Sequence, residues 1–313
     1  MRIGIDLGGT KIEAILLDPE GRTLARERVA TPHGDYGATL AAIGDLVAGI
    51  ERRFGVRASV GVGIPGSVSP LSATVRNANS TWLIGRALVA DLEAGLGRPV
   101  RVDNDANCFA ISEALDGAAS GFDTVFGVIL GTGVGAGLVV GRRMLRGANA
   151  IAGEWGHNPL PSPRDDERPG PACYCGRRGC IETWLNGAAL ARDAGRDDAD
   201  ATAAIAAALA GHRRCGDALA RYAERLARAL ASVINVFDPD AIVLGGGLSN
   251  IDALYERVPA LWSAHVFSDS VATRLLRNRH GDSSGVRGAA WLWGEEGDRG
   301  AGEGIAQAAG RDS

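Results

Sequence analysis

The segment IGIDLGGTKIEAILLD, residues 3–18, indicates the fold, because a similar segment, FGVILGTGVGAGLVVG, occurs at residues 126–141. The two segments align without a gap. In each, an apolar strand enters a Gly/Thr turn and leaves as a second apolar strand, which is the pattern of a hairpin. The repeat predicts two similarly built lobes that each begin with a hairpin. Asp6 of the first copy corresponds to Ile129 of the second.

Two Gly/Thr turns at matching places favour the binding of nucleotide phosphates. Glycine lets the backbone approach an anion closely, and a tight turn directs successive N–H groups at it. The hydroxyls of Thr10 and Thr132 add donors, and the Asp6 carboxylate can hold Mg²⁺ directly or through water. Neither turn fits the P-loop pattern or a dinucleotide fingerprint. The alternative is that the hairpins need glycine for steric reasons alone.

The basic residues add a second indication of phosphate binding. Lys11 is the only lysine in the chain, and every other cationic side chain is arginine. Because lysine offers a compact point charge where arginine offers a planar fork, a lone lysine beside the first turn indicates a position that arginine cannot fill. The alternative is one ordinary surface lysine.

A third glycine segment, LGGGLS at residues 244–249, lies between a predicted strand and the next element. It permits a flat group such as adenine to lie against the backbone, although helix–strand packing explains it almost as well. The predicted nucleotide-binding residues are Asp6, Gly8, Gly9, Thr10, Lys11, Gly131, Thr132, Gly133, Gly135, Gly245, Gly246 and Gly247.

The segment VDNDANC, residues 102–108, ends a predicted strand with three polar residues in a row. A carboxylate at a strand end, here Asp105, can act as a general base, with Asn104 orienting a substrate hydroxyl. The alternative is a helix N-cap before the following apolar stretch, which is a common use of Asp or Asn. The residues alone leave both interpretations open.

Three of the five cysteines stand within CYCGRRGC, residues 173–180. A disulfide, a nucleophile and a metal site are the candidates. An odd number of cysteines in a chain without secretory features argues against disulfides, and a nucleophilic cysteine needs no such neighbours. With His157 of GEWGH, the residues Cys173, Cys175 and Cys180 match a closed zinc site of one imidazole and three thiolates. The sequence therefore predicts structural zinc.

Composition narrows the class of protein. The chain has 313 residues, of which 46% are hydrophobic and 22% charged, and its net charge is −4. These values are typical of a globular protein of two domains and give no indication of a nucleic-acid or membrane partner. The N-terminus lacks the features of a signal peptide, and no apolar run of about 18 residues appears, so we expect a cytoplasmic protein.

Together these motifs resemble those of the ROK family of sugar kinases and repressors. The segments that carry the resemblance are DLGGTK, NDANC, LGTGVGAG, GEWGH, CYCGRRGCIET and VLGGGLSN. The likeness runs in order from residue 1 to about residue 293.

The resemblance implies an actin-like, hexokinase-like α/β fold of the ribonuclease H-like type, with two lobes on mixed five-stranded sheets and a cleft between them. We expect an N-terminal lobe of residues 1–118, with a C-terminal helix of about residues 288–297 returning to it. Residues 119–287 then form the second lobe, which includes a zinc-binding loop at 157–180. The tail, 298–313, is expected to be disordered, and a homodimer is expected.

The resemblance also implies roles for single residues. Asp105 is similar in position to the base that takes the proton from the 6-hydroxyl of a hexose, which then attacks the γ-phosphoryl group of MgATP. Asp6 with Mg²⁺ and the turn residues Thr10, Lys11, Gly131 and Thr132 supply the charge stabilisation that phosphoryl transfer requires. The residues that correspond to sugar contacts are Asn79, Asn104, Glu154, His157 and Glu182.

Several segments indicate the substrate. GIPGSVSP, NANSTWL, GEWGHNPLP and HGDSSGVRGAAWLW resemble bacterial fructokinases that also accept mannose, so fructose is the first expectation. N-acetylglucosamine kinases, similar in DNDANCFA and RHGD, are the alternative, with glucose or mannose kinases beside them. Asp103 departs from the fructokinase pattern, which has a smaller apolar residue there. A ROK repressor is less expected, since the first hairpin begins at residue 2 and leaves no room for a DNA-binding domain. A zinc-stabilised sugar-binding protein without turnover is the weakest of the three classes.

Overall fold

The computed structural model describes residues 1–78, 80–196 and 201–294. Its strands are β1 (Arg2–Leu7), β2 (Lys11–Leu17), β3 (Thr23–Ala30), β4 (Ser59–Ile64), β5 (Ser67–Val68), β6 (Val75–Arg76), β7 (Val100–Asn104), β8 (Thr124–Leu130), β9 (Val134–Val140), β10 (Arg143–Met144), β11 (Ala241–Gly245) and β12 (Arg274–Arg277). Its α-helices are α1 (Tyr36–Phe54), α2 (Leu88–Leu96), α3 (Asp105–Leu115), α4 (Glu182–Leu185), α5 (Gly187–Asp193), α6 (Ala201–Leu209), α7 (Arg213–Phe237), α8 (Ala253–Trp262) and α9 (Ser284–Trp291). None of the described helices is long and apolar enough to cross a membrane.

The chain forms two compact units. The first comprises Met1–Cys108 with the described residues from Gly285 onward, and the second comprises Phe109–Ser284. The first break between the units falls inside α3, after Cys108, whereas the predicted N-terminal lobe extends to residue 118. The C-terminal helix is also earlier than predicted, at Ser284–Trp291, and residues 295–297 lie outside the described residues.

The first unit is built on a mixed five-stranded sheet in the order β3-β2-β1-β4-β7. The β1–β2 and β2–β3 pairs are antiparallel, whereas β4 lies parallel to β1 and to β7. Alternating residues of β1 bury Ile3, Ile5 and Leu7 in one apolar core with Ile43 and Ile50 of α1. Because strand side chains alternate between faces, Gly4 lies on the opposite face of the sheet.

Glycines allow α9 to approach the sheet of the first unit closely. A Cβ on Gly4 would lie 2.0 Å from the Val286 carbonyl oxygen, and one on Gly61 would lie 1.9 Å from that of Ala289. On α9 itself, a Cβ at Gly288 would lie 1.6 Å from the carbonyl oxygen of Cys108 on α3. These contacts join backbone to backbone, so no side-chain rearrangement makes room for a methyl group.

We therefore expect Gly288→Ala to lower the free energy of unfolding by about 3 kcal/mol, because the added methyl group overpacks a contact made of backbone atoms. Urea unfolding followed by tryptophan fluorescence measures this loss. Gly49→Ala is the matched control: it also lies in a helix, and its Cβ meets nothing within 4 Å. The control is expected to gain about 0.5–1 kcal/mol from helix propensity. Equal stability of the two variants would contradict the packing described for α9.

The second unit repeats the arrangement. Its sheet has the order β10-β9-β8-β11-β12, with β8–β9 and β9–β10 antiparallel and β8–β11 and β11–β12 parallel. Glycines again allow a helix, here α3, to pack closely on the sheet. A Cβ on Gly127 would lie 2.7 Å from Ala110 of α3, and one on Gly245 would lie 2.4 Å from the Phe109 ring. The apolar stripe of α7, which includes Tyr222, Leu226 and Leu230, joins this core.

The predicted fold class is confirmed, with α/β units, mixed five-stranded sheets and a hairpin at the start of each sheet. The hairpins are confirmed as β1–β2 and β8–β9. The helices α1 (Tyr36–Phe54) and α7 (Arg213–Phe237) coincide with stretches of sequence in which apolar residues recur at helical spacing. The tail predicted at 298–313 and the predicted sugar contact Asn79 lie outside the described residues.

Candidate active site

The first hairpin turn, Gly8–Thr10, is held in shape by hydrogen bonds to its backbone. The Gly8 N–H donates to the carbonyl of Lys11 over 3.0 Å. Thr31, at the end of β3, donates its hydroxyl to the Gly8 carbonyl (2.8 Å) and its N–H to the Thr10 carbonyl (3.0 Å). Gly9 and Thr10 are exposed, so the tip of the turn is open to a ligand. Thr31 was not predicted as part of the site, because no motif in the sequence places the end of β3 beside this turn.

Asp6 is the penultimate residue of β1 and lies beside other acidic groups. Burial, together with the negative charges of Asp105 and Glu13, raises its pKa to about 6, while Lys11 acts in the opposite direction. Asp6 and Asp105 are therefore close enough for their charges to interact, although they are far apart in the sequence. Two neighbouring carboxylates favour a cation between or beside them, as expected for a Mg²⁺ ligand next to a general base.

Lys11 begins β2, and its ammonium lies 3.8 Å from the Glu13 carboxylate. Glu13 is buried and also accepts hydrogen bonds from Arg26 (2.5 Å) and Arg28 (2.6 Å) of β3. Burial alone would raise the pKa of Glu13, but these bonds and charges hold it below its usual value. With Arg26 and Arg28 bonded to Glu13, the half-exposed Lys11 is not needed to neutralise that carboxylate.

Asp105 is the first residue of α3 and directly follows β7, at the carboxyl end of a parallel strand. The capping of α3 falls to Asn104, whose side-chain oxygen accepts the Asn107 N–H over 2.6 Å. Asp103 supports this turn by accepting bonds from the Asn104 N–H (2.9 Å) and the Asn107 amide (2.7 Å). Asp105 itself is exposed, and its Oδ1 accepts the Ala106 N–H at 2.8 Å. The N-cap alternative thus applies to Asn104.

The second hairpin turn, Gly131–Gly133, is held by the segment around α4. The Gly131 N–H donates to the Gly133 carbonyl (3.0 Å), and the Gly131 carbonyl accepts the N–H of Gly187 (2.9 Å). The Glu182 carboxylate accepts the Val134 N–H at 3.0 Å. A Cβ on Gly131 would meet nothing within 4 Å, whereas one on Gly133 would lie 2.9 Å from Glu182 Oε2. Glu182, predicted only as a sugar contact, therefore also supports a predicted phosphate turn.

Packing accounts for two of the three glycines at 245–247. A Cβ on Gly245 would enter the Phe109 ring, and one on Gly246, whose φ is +78°, would lie 2.4 Å from the Leu130 carbonyl oxygen. Gly247 opens a 3₁₀ helix and has no neighbour within 4 Å of an added Cβ. Contact with a nucleotide remains a prediction for all three, as it does for Gly135.

The four predicted zinc ligands lie together. The ligand atoms of His157, Cys173, Cys175 and Cys180 are all within 4.8 Å of one another. His157 Nδ1 lies 3.5 Å from Cys173 Sγ, and Cys175 Sγ lies 3.6 Å from Cys180 Sγ. A tetrahedral zinc ion with Zn–S bonds near 2.3 Å places its sulfur ligands about 3.7 Å apart. The residues therefore fit zinc in both donor type and spacing.

Local backbone structure brings these ligands together. The Cys173 N–H donates to the Arg177 carbonyl (2.8 Å), which closes a tight turn, and Gly176 within the turn has a φ of +87°. Hydrogen bonding from Arg177 lowers the pKa of Cys175 to about 6, so this residue readily supplies the thiolate that a metal binds. A bridge between Pro159 and Cys180 joins the two ends of the zinc loop, residues 157–180.

The ring of His157 has two different environments. Its Nδ1 faces the cysteines, and its Nε2 lies 2.8 Å from the hydroxyl of Tyr174. The carboxylates of Glu182 and Glu154 are near enough for their charges to contribute, after burial, to a Tyr174 pKa raised to about 12. Three predicted sugar contacts, Glu154, His157 and Glu182, thus converge around one exposed tyrosine. Tyr174 was not predicted from the sequence, because a residue between two predicted metal ligands has no pattern of its own.

Charged groups anchor the Pro-rich part of the zinc loop to α7. Glu167 is buried and accepts hydrogen bonds from Arg225 (2.8 Å) and from Arg228 (2.8 and 2.9 Å). Arg228 also donates to the carbonyls of Pro161 and Ser162. Each buried charge has a partner, which such groups require. No motif in the sequence pairs Glu167 with these two arginines, which follow it by about 60 positions.

Comparison with known proteins supports the assignment made from these motifs. The ROK family model matches residues 2–296. The chain belongs to the ROK family. An N-acetyl-D-glucosamine kinase of Salmonella paratyphi A is 42% identical over 299 residues, covering 93% of this chain and 99% of that relative. The enzyme of that name from Salmonella heidelberg is 41% identical over the same length.

Two solved ROK structures agree with the fold. A ROK hexokinase from Thermus thermophilus is 33% identical, with a TM-score of 0.83 over 93% of this chain and 97% of its own. A ROK family glucokinase from Streptomyces griseus, in complex with glucose and AMPPNP, is 31% identical, with a TM-score of 0.74 over 93% and 98% of the two chains. The chain is thus a sugar kinase of the hexokinase-like type.

Proposed function

We propose that this ROK protein transfers the γ-phosphoryl group of MgATP to the 6-hydroxyl of N-acetylglucosamine. The observation that carries the chemistry is the exposed Asp105 at the carboxyl end of β7, with the charge of Asp6 beside it and the capping of α3 assigned to Asn104. This is the arrangement that a general base next to a metal-bound phosphate requires.

In this proposal Asp105 takes the proton from the sugar hydroxyl as the hydroxyl oxygen attacks the γ-phosphorus, and the bond from that phosphorus to the bridging oxygen breaks, so that ADP leaves. Asp6 holds Mg²⁺, and the turns Gly8–Thr10 and Gly131–Gly133 direct N–H groups and the hydroxyls of Thr10 and Thr132 at the phosphates. Lys11 adds a positive charge near the first turn. Mg²⁺ supplies neutralisation of the charge that develops on the phosphoryl oxygens. Adenine contact by Gly245–Gly247 belongs to the same proposal.

The hexose is held, in this proposal, by hydroxyl contacts, and the contact residues are Asn79, Asn104, Glu154, His157 and Glu182. Zinc, held by His157, Cys173, Cys175 and Cys180, has a structural role: it fixes the loop that carries these side chains. Coordination through Nδ1 also fixes the tautomer and orientation of His157, so that Nε2 faces away from the metal.

The relatives favour N-acetylglucosamine over the fructose expected from the sequence motifs. Both relatives described above bear the name of that kinase and match nearly their whole length. The segment DNDANCFA supports the same substrate, because Asp103 is the residue at which this chain departs from the fructokinase pattern. Fructose, glucose and mannose remain candidate substrates. The proposal includes a homodimer and a cytoplasmic location.

A kinetic panel tests the substrate. We expect the highest kcat/KM for N-acetylglucosamine, exceeding that for glucose, mannose or fructose by about tenfold or more, since one well-placed polar contact to a substituent is worth that much. ADP release coupled to NADH oxidation gives all four values with a single batch of protein. A higher kcat/KM for fructose would restore the first expectation. If none of the four sugars causes ADP release, the result would favour a sugar-binding protein without turnover.

A further inference from the structure

Glu182 stands between two parts of the second unit that the proposed function assigns to different substrates. One of its oxygens, Oε2, accepts the N–H of Val134, the residue directly after the phosphate turn Gly131–Gly133. The same carboxylate is one of the hexose contacts in the proposed function, with Glu154 and His157. The sugar-binding group and the nucleotide-binding turn therefore meet at one side chain.

A second bond ties the same segment to the same turn. The N–H of Gly187, at the start of α5, donates to the Gly131 carbonyl over 2.9 Å. The segment from Glu182 to Gly187 therefore contacts the turn at both of its ends. Since the Gly131 N–H also bonds to the Gly133 carbonyl, the geometry of the turn depends on these few hydrogen bonds.

The segment is itself firmly seated, so a change at Glu182 reaches the turn. Trp184 is buried and lies under the guanidinium of Arg225, whose central carbon is 4.5 Å from the ring centroid. The Leu185 carbonyl accepts a hydrogen bond from the buried hydroxyl of Tyr222 over 2.9 Å. Both contacts fix α4 against α7. Motion of the carboxylate is therefore confined to its own side-chain torsions.

We propose that Glu182 couples hexose binding to nucleotide binding, because one carboxylate oxygen holds the phosphate turn at Val134 while the other accepts a hexose hydroxyl. This inference rests on the proposed function. A bound hexose fixes the torsions of the carboxylate, and the bond to Val134 then orders the turn before the nucleotide arrives. Ordering the turn beforehand removes that entropic cost from nucleotide binding, so hexose and nucleotide bind with positive cooperativity.

Isothermal titration of Mg²⁺ and AMPPNP into the protein, with and without saturating N-acetylglucosamine, measures the coupling. We expect the hexose to lower the nucleotide Kd by about fivefold or more in the wild type. By reciprocity, the nucleotide must lower the hexose Kd by the same factor, which checks the measurement internally. Glu182→Gln is expected to reduce the factor to about twofold or less, because an amide has a single acceptor end for two partners.

Two further variants separate coupling from simple loss of a sugar contact. Glu154→Gln removes the charge of a neighbouring predicted sugar contact that is not bonded to the turn, so it is expected to weaken hexose binding but to keep the wild-type factor. Gly133→Ala keeps the Glu182 side chain but puts a methyl carbon 2.9 Å from its Oε2, so the carboxylate must move away from the turn. We expect this variant still to bind hexose in the absence of nucleotide and to lose the coupling. It also keeps the test decisive if Glu182→Gln binds hexose too weakly or fails to fold.

The outcomes distinguish this inference from the proposed function. If hexose leaves the nucleotide Kd of the wild type unchanged, in a protein that phosphorylates hexose, the coupling is overturned and the kinase proposal is unaffected. If Glu182→Gln and Gly133→Ala both keep the wild-type ratio of nucleotide Kd values without and with hexose, the coupling through Glu182 is also overturned and the kinase proposal is unaffected. A protein that binds no hexose at all overturns both.

Discussion

Asp105→Asn is expected to lower kcat for hexose phosphorylation by about 10³-fold, while the Kd for the hexose changes by less than about threefold. An amide cannot take the proton from the sugar hydroxyl, but its oxygen can still accept the Ala106 N–H that Asp105 accepts now. The turn between β7 and α3 is therefore preserved, and the loss falls on the chemical step. Coupled ADP release gives kcat, and calorimetry gives the hexose Kd.

Asp103→Asn is the matched control for this prediction. It makes the same substitution two residues earlier, at a carboxylate that accepts bonds from Asn104 and Asn107. We expect a loss in kcat of about tenfold at most, because Asp103 supports the turn without reaching the sugar. Turnover near the wild-type level in Asp105→Asn, or equal losses in the two variants, would exclude Asp105 as the base.

Cys175→Ser is expected to abolish stoichiometric zinc binding and to raise the hexose KM by about tenfold or more. Serine is a poor zinc ligand, and the loop from His157 to Cys180 has few apolar residues to hold it once the metal is lost. Nucleotide affinity in the absence of hexose is expected to change less, since Gly187 still bonds to the turn at Gly131. Inductively coupled plasma mass spectrometry gives the zinc content, and steady-state kinetics gives the KM.

Cys215→Ser controls for the loss of a buried thiol as such. Cys215 lies on α7, is 5% exposed and does not belong to the cluster. This variant is expected to keep one zinc per chain and the wild-type hexose KM, with some loss of stability. The proposed zinc site would be contradicted if wild-type protein is purified without zinc, or if Cys175→Ser still binds zinc stoichiometrically.

The fold could be predicted from the sequence because its signals are local. The hairpins at residues 3–18 and 126–141 are strands of alternating or continuous apolar residues around glycine turns, and α1 and α7 have helical spacing of apolar residues. The cluster of His157 with Cys173, Cys175 and Cys180 was also predictable, since three cysteines stand close together in a chain that otherwise hardly uses cysteine. The boundary between the units was not, because α3 continues through it without any change in composition.

The parts of the site that escaped prediction depend on contacts between distant segments. Glu182 and Val134 are separated by 48 residues, and the bond between them follows from how α4 packs on α7 rather than from any motif. Thr31 supports the first turn from β3, and Glu167 pairs with two arginines of α7, for the same kind of reason. The hexose is harder still, because closely related sugars are distinguished by small displacements of the same residue types.

The role of Asp105 as the base in hexose phosphorylation is tested by the transfer of ³²P from γ-labelled ATP to N-acetylglucosamine, followed by separation of the labelled sugar. Wild-type protein and Asp105→Asn are assayed side by side at equal concentration. We expect the wild type to form labelled N-acetylglucosamine 6-phosphate and the variant to form it about 10³-fold more slowly. Label released only as inorganic phosphate, or attached to the sugar equally fast by both proteins, would contradict it.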